Sequence, residues 1–361
     1  MTVYLNTNKN LKPLIDNYEK YFLTLSETIN LPKKWDQFTA FEIEIKKSFI
    51  RGMLRYSENT LNILNFIKNY YEQNLIKSNE LNWITLPYPM IHLPNDLMED
   101  GGFHYDETSK KNLFTCWIPI TDYKYKALSI LKFRSKILNR FFQLLIKTDI
   151  CKYFSDHIEA NKGNIFLWDG NQLHSGNRNI SDTPSCAIQL KLVNQIYRFE
   201  QNKNFSSNFT IENKNFKDLN HKQILNEYKL YHKYIELIMQ NNNQINLKAK
   251  LEKILSTINN PSYPLSFSLS LLAQRMMSKK KYFKQFQDLK NVLICMDKLS
   301  LSLGSANLVS LNRLLNLGKK NKEIENELKE IDKFKLIPFD TYQYYELLKK
   351  GNKNNLDTFS Y

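Results

Sequence analysis

The chain has 361 residues, 42% hydrophobic and 24% charged, with 51 Lys and Arg against 36 Asp and Glu for a net charge of +15. That balance excludes wholesale disorder, and no uninterrupted apolar run reaches membrane-spanning length. The positive surplus falls mostly after residue 200, as Lys spread around helices in a chain rich in Lys, Asn and Ile; this disfavours a nucleic-acid ligand and reads as compositional bias on solvated helix faces.

Met1 to Asn10 lacks the basic-then-apolar pattern of a secretory leader. The four cysteines, Cys116, Cys151, Cys186 and Cys295, have neither framework nor metal-type spacing. Both features point to a cytoplasmic protein with free thiols. Residues 1 to about 80 read as helices, with apolar spacing in Leu14, Ile15, Tyr18, Tyr21 and Phe22 and again in Leu61, Ile63, Leu64, Ile67, Tyr70 and Tyr71. Tyr88 to Pro94 then reads as a strand with prolines at its margins, and His92 within it as a hydrogen-bonded core histidine.

The stretch Gly101-Gly102-Phe103-His104-Tyr105-Asp106 follows. If it is extended, His104 and Asp106 share one face while Tyr105 points away. A short polar turn, Glu107 to Asn112, leads into the apolar strand Leu113 to Asp122, and another strand is predicted after residue 126, with Lys132 on it. Residues 133 to 160 read as a helical insertion near the barrel mouth. Gly163 to Gly170 is strand then turn, and Trp168-Asp169-Gly170-Asn171-Gln172-Leu173-His174-Ser175-Gly176-Asn177 brings in a second histidine. His174 completes a set of two imidazoles and one carboxylate on one side of a metal, a facial arrangement suited to non-haem Fe(II) because the opposite positions stay open. Ser185 to Val193 closes the series as a further strand. His157, His221 and His232 lie in polar or amphipathic context and read as surface residues, and Trp117 and Trp168 as barrel core.

Gln201 to Asn215, rich in Asn and Ser, marks a linker. Residues 216–361 read as an α-helical domain broken at Asn259-Asn260-Pro261, Gly304, Gly318 and Pro338. Phe267 to Leu299 and Leu308 to Phe334 each suit a helical hairpin, in αα-repeats or in a plain bundle. The expected fold is α+β. A double-stranded β-helix, a jelly-roll, cupin-like core over about 80–197, is braced by the helices of 1–80 into a domain spanning 1–200; the all-α domain follows.

At four segments the chain resembles the phytanoyl-CoA hydroxylase-like branch of the Fe(II)/2-oxoglutarate dioxygenases. They are Ile91 to Asp96, Gly102 to Asp106, Cys116 to Asp122, and Leu167 through His174 to Asn179, and the likeness covers roughly residues 80 to 197. The resemblance implies Fe(II) on His104, Asp106 and His174, with 2-oxoglutarate as co-substrate. It further implies decarboxylation to succinate and CO₂ coupled to hydroxylation by O₂ of a small-molecule, sugar-containing or carrier-bound substrate. Asp106 argues against the related halogenation, which needs a small residue there. The chain departs from the family at the Arg that grips the far carboxylate: about eleven residues past His174 stands Ser185. Lys191, an even number of residues away on the same strand face, is the first substitute; Arg178 and Lys132 are the others, and Ser185 and Thr115 could add hydroxyl donors. The C-terminal helices suit a protein partner. The competing reading is a helical-repeat scaffold whose barrel has lost turnover, with Ser185 as the symptom.

Overall fold

The computed structural model describes residues 6–7, 9–74, 81–83, 87–99, 102–104, 113–131, 150–170, 172–194, 216–239, 262–283, 289–303, 310 and 313. Helices and antiparallel strands together make the chain α+β. Two compact units emerge: residues 1–24, 30–36 and 57–207 form one, and residues 25–29, 37–56 and 208–361 the other.

The first unit holds the sheets. Strands β1 (Asn6–Thr7), β2 (Leu81–Trp83), β3 (Tyr88–His92), β4 (Leu113–Pro119), β7 (Asn164–Asp169) and β9 (Ser185–Asn194) form a six-stranded sheet in the order β1-β7-β4-β9-β2, with β3 also on β9. Strands β5 (Lys126–Leu131), β6 (Ser155–Glu159) and β8 (His174–Gly176) form a second sheet in the order β6-β5-β8. An isolated antiparallel bridge from His104 to His174 extends that sheet by one position. The centre of the larger sheet is apolar on both faces, as expected of strands covered on both sides: Cys116, Trp117 and Ile118 on β4 and Cys186, Ala187, Ile188 and Leu190 on β9 are all buried. Trp117, Phe166, Trp168 and Ala187 from the larger sheet pack with Ala127, Leu128 and Ile130 from the smaller one, so the core lies between two sheets.

Residues 155–159 correct the expectation of a helix over 133 to 160. Ile150–Tyr153 forms one helical turn (α4), and Ser155–Glu159 pairs antiparallel with β5, its backbone bonded across the sheet despite a polar sequence. Residues 132–149 lie outside the described set, as do most of Leu308 to Phe334 and the expected linker at 201–215.

Helix α1 (Lys12–Thr28) buries Ile15, Tyr18, Tyr21 and Phe22, and α3 (Glu58–Asn74) buries Ile63, Leu64 and Ile67, as the helical spacing predicts. Asp16 and Glu19, one turn apart on α1, both engage Lys162 in the turn before β7, at 2.5 Å for Asp16.

The described residues of the second unit are mostly helical. Helix α2 (Ala40–Arg55) belongs to it rather than to the sheet-bearing unit, together with α5 (His221–Met239), α6 (Tyr263–Ser278) and α7 (Leu289–Ser302). Gly52 of α2 lies against α6 so closely that a Cβ there would stand 2.1 Å from Ser268 Oγ and 2.4 Å from the Pro264 carbonyl. Glu44 and Lys47, both fully buried, pair at 2.8 Å on α2. Ser266 Oγ donates to the Ser300 carbonyl at 2.5 Å, joining α6 to α7. Arg313 grips buried Asp297 through Nε and Nη2 at 2.8 and 2.5 Å, with Ser310 donating to the same carboxylate at 2.8 Å. No described helix is long and apolar enough to cross a membrane. All four cysteines are buried and unpaired with one another.

Candidate metal centre

His104 and His174 are joined by their backbones before their side chains meet. His104 N–H donates to the His174 carbonyl at 2.9 Å and His174 N–H to the His104 carbonyl at 3.1 Å. Such a directly opposed antiparallel pair projects both side chains to one face of the sheet, and the two imidazole centroids lie 4.5 Å apart at an interplanar angle of 52°.

The rings are oriented by the same device. His104 Nδ1 bonds the Gly102 carbonyl at 3.0 Å, and His174 Nδ1 bonds the Gln172 carbonyl at 2.9 Å. A carbonyl only accepts, so Nδ1 of each ring carries a proton, and in the neutral ring Nε2 keeps the lone pair. Two Nε2 lone pairs on adjacent rings, each held by a backbone acceptor behind it, match the usual outer-shell support of metal-bound histidine. Gly102 sits at φ +60°, a conformation that sets its carbonyl under His104 and that a side chain would strain. His174 is buried, while His104 is exposed, so the pair opens to solvent on one side. Asp106, the third expected ligand, lies outside the described residues.

Behind His174 stands Trp168, its ring 5.0 Å from the imidazole and almost wholly buried. Cross-strand register sets Trp168 opposite Thr115, and Thr115 opposite Lys191, in one row of the larger sheet. Thr115 is fully buried. Lys191 is placed by its backbone only; its side chain lies outside the described residues, as does all of Lys132.

Ser185 and Arg178 stand elsewhere. Ser185 opens β9 opposite His92, six residues from Lys191, which is roughly 20 Å of extended strand. Its hydroxyl is buried and hydrogen-bonded with Tyr125 Oη at 3.2 Å. Burial raises the phenol pKa values of Tyr125 and of neighbouring Tyr123; for Tyr125 the carboxylates of Glu99 and Asp96 push the same way. An anion at Ser185 would meet those carboxylates, so that end is a poor site for a dicarboxylate. Arg178 donates from Nη2 to Asn95 Oδ1 at 3.1 Å, fastening the loop after β8 to the loop after β3, where Asn95 N–H also donates to the Asn179 carbonyl at 2.8 Å. Of the sequence candidates, the fold therefore brings together His104 and His174, with Thr115 in the row that meets His174 through Trp168. Ser185 and Arg178 lie toward the opposite end of β9.

Three groups went unread in the sequence: Trp168 as a neighbour of His174, and the Gly102 and Gln172 carbonyls that fix the rings. The repeated Gly101-Gly102 before His104 was the available signal for one of them. His92 is buried, packed edge-on against Tyr123 with centroids 6.3 Å apart. His157 bonds Ser129 Oγ at 2.8 Å, and His221 bonds Thr28 Oγ1 at 2.9 Å.

No family model matches the chain, and no curated protein matches it. Among solved structures it is similar to SnoK, a non-heme alpha-ketoglutarate-dependent carbocyclase from nogalamycin biosynthesis, with 16% identity over 30% of this chain and 49% of that one and a TM-score of 0.25. It is similar to the non-heme monooxygenase ThoJ, solved as a nickel complex, with 9% identity over 54% of this chain and 72% of that one and a TM-score of 0.33. AviO1 from Streptomyces viridochromogenes Tue57 matches with 9% identity over 52% of this chain and 86% of that one and a TM-score of 0.31. The chain spans about half the length of SnoK.

Proposed function

We propose that the sheet-bearing unit, a double-stranded β-helix in its alternation of strands between two sheets, is a non-haem Fe(II)- and 2-oxoglutarate-dependent oxygenase. The single observation that carries this reading is the His104–His174 pair, with both Nδ1 atoms committed to carbonyls and the rings side by side. His104 and His174 would hold the metal through Nε2, with Asp106 as the carboxylate completing a facial set and leaving positions for co-substrate, O₂ or both. Fe(II) with 2-oxoglutarate supplies O₂ activation and oxidation of an unactivated C–H bond of a small-molecule, sugar-containing or carrier-bound substrate, releasing succinate and CO₂. The chain's residues orient and shield: Gly102 and Gln172 fix the tautomers, Trp168 covers His174 on the core side, and the exposed edge of His104 faces the route by which substrate arrives. The C-terminal helices are proposed to serve a protein partner.

Anaerobic titration of the metal-free protein with Fe(II), then 2-oxoglutarate, tests the reading. The expected result is a visible charge-transfer band that needs both additions and vanishes in His174→Ala. Iron binding without the band would overturn the co-substrate assignment, and an absence of iron binding would overturn the metal centre and leave the scaffold reading standing.

A further inference from the structure

Trp168 is almost wholly buried, and its indole Nε1–H finds no hydrogen-bond partner among the described residues. Indole nitrogen only donates, and a buried donor left unmatched is uncommon enough in a folded protein to need a cause. The ring packs in the core between the two sheets and also meets an imidazole. It lies 5.0 Å from His174, in the same cross-strand row as the fully buried hydroxyl of Thr115.

The other place where an anion is expected is unsuited to one. Ser185 already shares its hydroxyl with Tyr125, and Asp96 and Glu99 lie close enough to raise the Tyr125 phenol. Arg178, the described guanidinium nearest in sequence to His174, donates from Nη2 to Asn95 Oδ1 in the loop after β3. An unmatched buried donor thus lies beside His174, while the hydroxyl that stands in place of the family's arginine is already engaged with Tyr125.

We infer that Trp168 is a positioning residue for the metal-bound co-substrate, its indole N–H donating to a carboxylate oxygen of 2-oxoglutarate held beside His174. The inference rests on the oxygenase reading and adds to it the residue that replaces part of the lost arginine's grip. A hydrogen bond to a charged acceptor corresponds to roughly a 10- to 100-fold effect on affinity.

Two readouts test it. The full chain, loaded with Zn(II) as a diamagnetic stand-in for Fe(II), is labelled with ¹⁵N at its four tryptophan indoles, Trp35, Trp83, Trp117 and Trp168, and titrated with 2-oxoglutarate. The indole proton signal missing from Trp168→Phe should move downfield as the co-substrate binds; a stationary signal overturns the inference. In parallel, calorimetry on the Fe(II)-loaded protein under anaerobic conditions should give Trp168→Phe an unchanged Fe(II) affinity and a 2-oxoglutarate Kd at least about 10-fold weaker. A Kd within twofold of wild type overturns the inference while the oxygenase reading survives. If wild type itself binds Fe(II) but not 2-oxoglutarate, the co-substrate reading falls and takes this inference with it. Should Trp168→Phe fail to fold, the labelled wild-type spectrum with Thr115→Val as the second variant decides: loss of the downfield shift in the valine protein supports the row as the carboxylate site, and an unaltered titration counts against it.

Discussion

At Gly102 a single backbone torsion sets the chemistry of the neighbouring imidazole. The positive φ turns the carbonyl under His104 Nδ1, and an added Cβ would meet no atom within 4 Å, so the cost of Gly102→Ala is conformational rather than steric. That cost is roughly 1–2 kcal/mol, and relaxing it means rotating the carbonyl away from the ring. The expected outcome is a folded protein whose Fe(II) Kd, measured by calorimetry, is about 10-fold weaker, in the range seen when outer-shell partners of a metal-bound histidine are lost. An unchanged affinity would mean that the carbonyl does not orient the ring. Asp297 sits at the same scale in the helical unit. Burial raises its carboxyl pKa against the pull of Arg313 and Ser310, and deleting it strands a buried guanidinium. Asp297→Ala should therefore destabilise by about 3–5 kcal/mol in denaturant unfolding, whereas a loss under 1 kcal/mol would show that Arg313 readily finds water.

At the scale of elements, β9 bears on where the proposed co-substrate would be held. One strand carries Ser185 at its start and Lys191 six residues on, and only the second position shares a row with Thr115 and Trp168. If the row beside His174 holds the carboxylate, Lys191→Met raises the Kd for 2-oxoglutarate at least about 10-fold, and Ser185→Ala leaves it within twofold; the reverse pattern would return the anchor to the strand's first residue. The central strands were legible because β4 and β9 are buried on both faces and so read as apolar runs, and the two paired histidines because His104 after a Gly-Gly pair and a later His at a strand start are visible as letters. The strand Ser155–Glu159 was not: Ser-Asp-His-Ile-Glu has no apolar run, and its pairing with β5 is settled by backbone bonds to a partner more than twenty residues away. Trp168 was read as core, which its burial bears out, but an indole N–H without an acceptor is a property of packing and leaves no mark in sequence. Nor did composition signal that α2 would join the helical unit, since Gly52 reveals its purpose only when Pro264 and Ser268 close on it. Gly52→Ala should cost about 1–3 kcal/mol through overpacking, read as a lowered Tm, because the nearest backbone atom cannot swing aside as a side chain would.

Across the whole molecule the buried phenols set an upper pH limit. Tyr123 and Tyr125 in the sheet-bearing unit and Tyr231 in the helical unit all have pKa values raised chiefly by burial, each further raised by neighbouring acidic or phenolic groups. A phenol that ionises at its ordinary value of about 10 in the unfolded chain, but higher in the folded one, binds more protons folded than unfolded above that pH. Stability is therefore unaffected by these groups below about pH 10 and falls as pH rises past it. Tyr231 offers a clean test because, among the described residues, its hydroxyl donates to the Ser268 carbonyl alone, at 3.3 Å. Tyr231→Phe should lose about 1 kcal/mol at neutral pH through that bond, yet decline less steeply than wild type in alkali, so that the two stability curves converge. Far-UV circular dichroism followed alongside phenolate absorbance would report this. Parallel curves would show that Tyr231 ionises in the folded protein and that the helical unit admits water to its core.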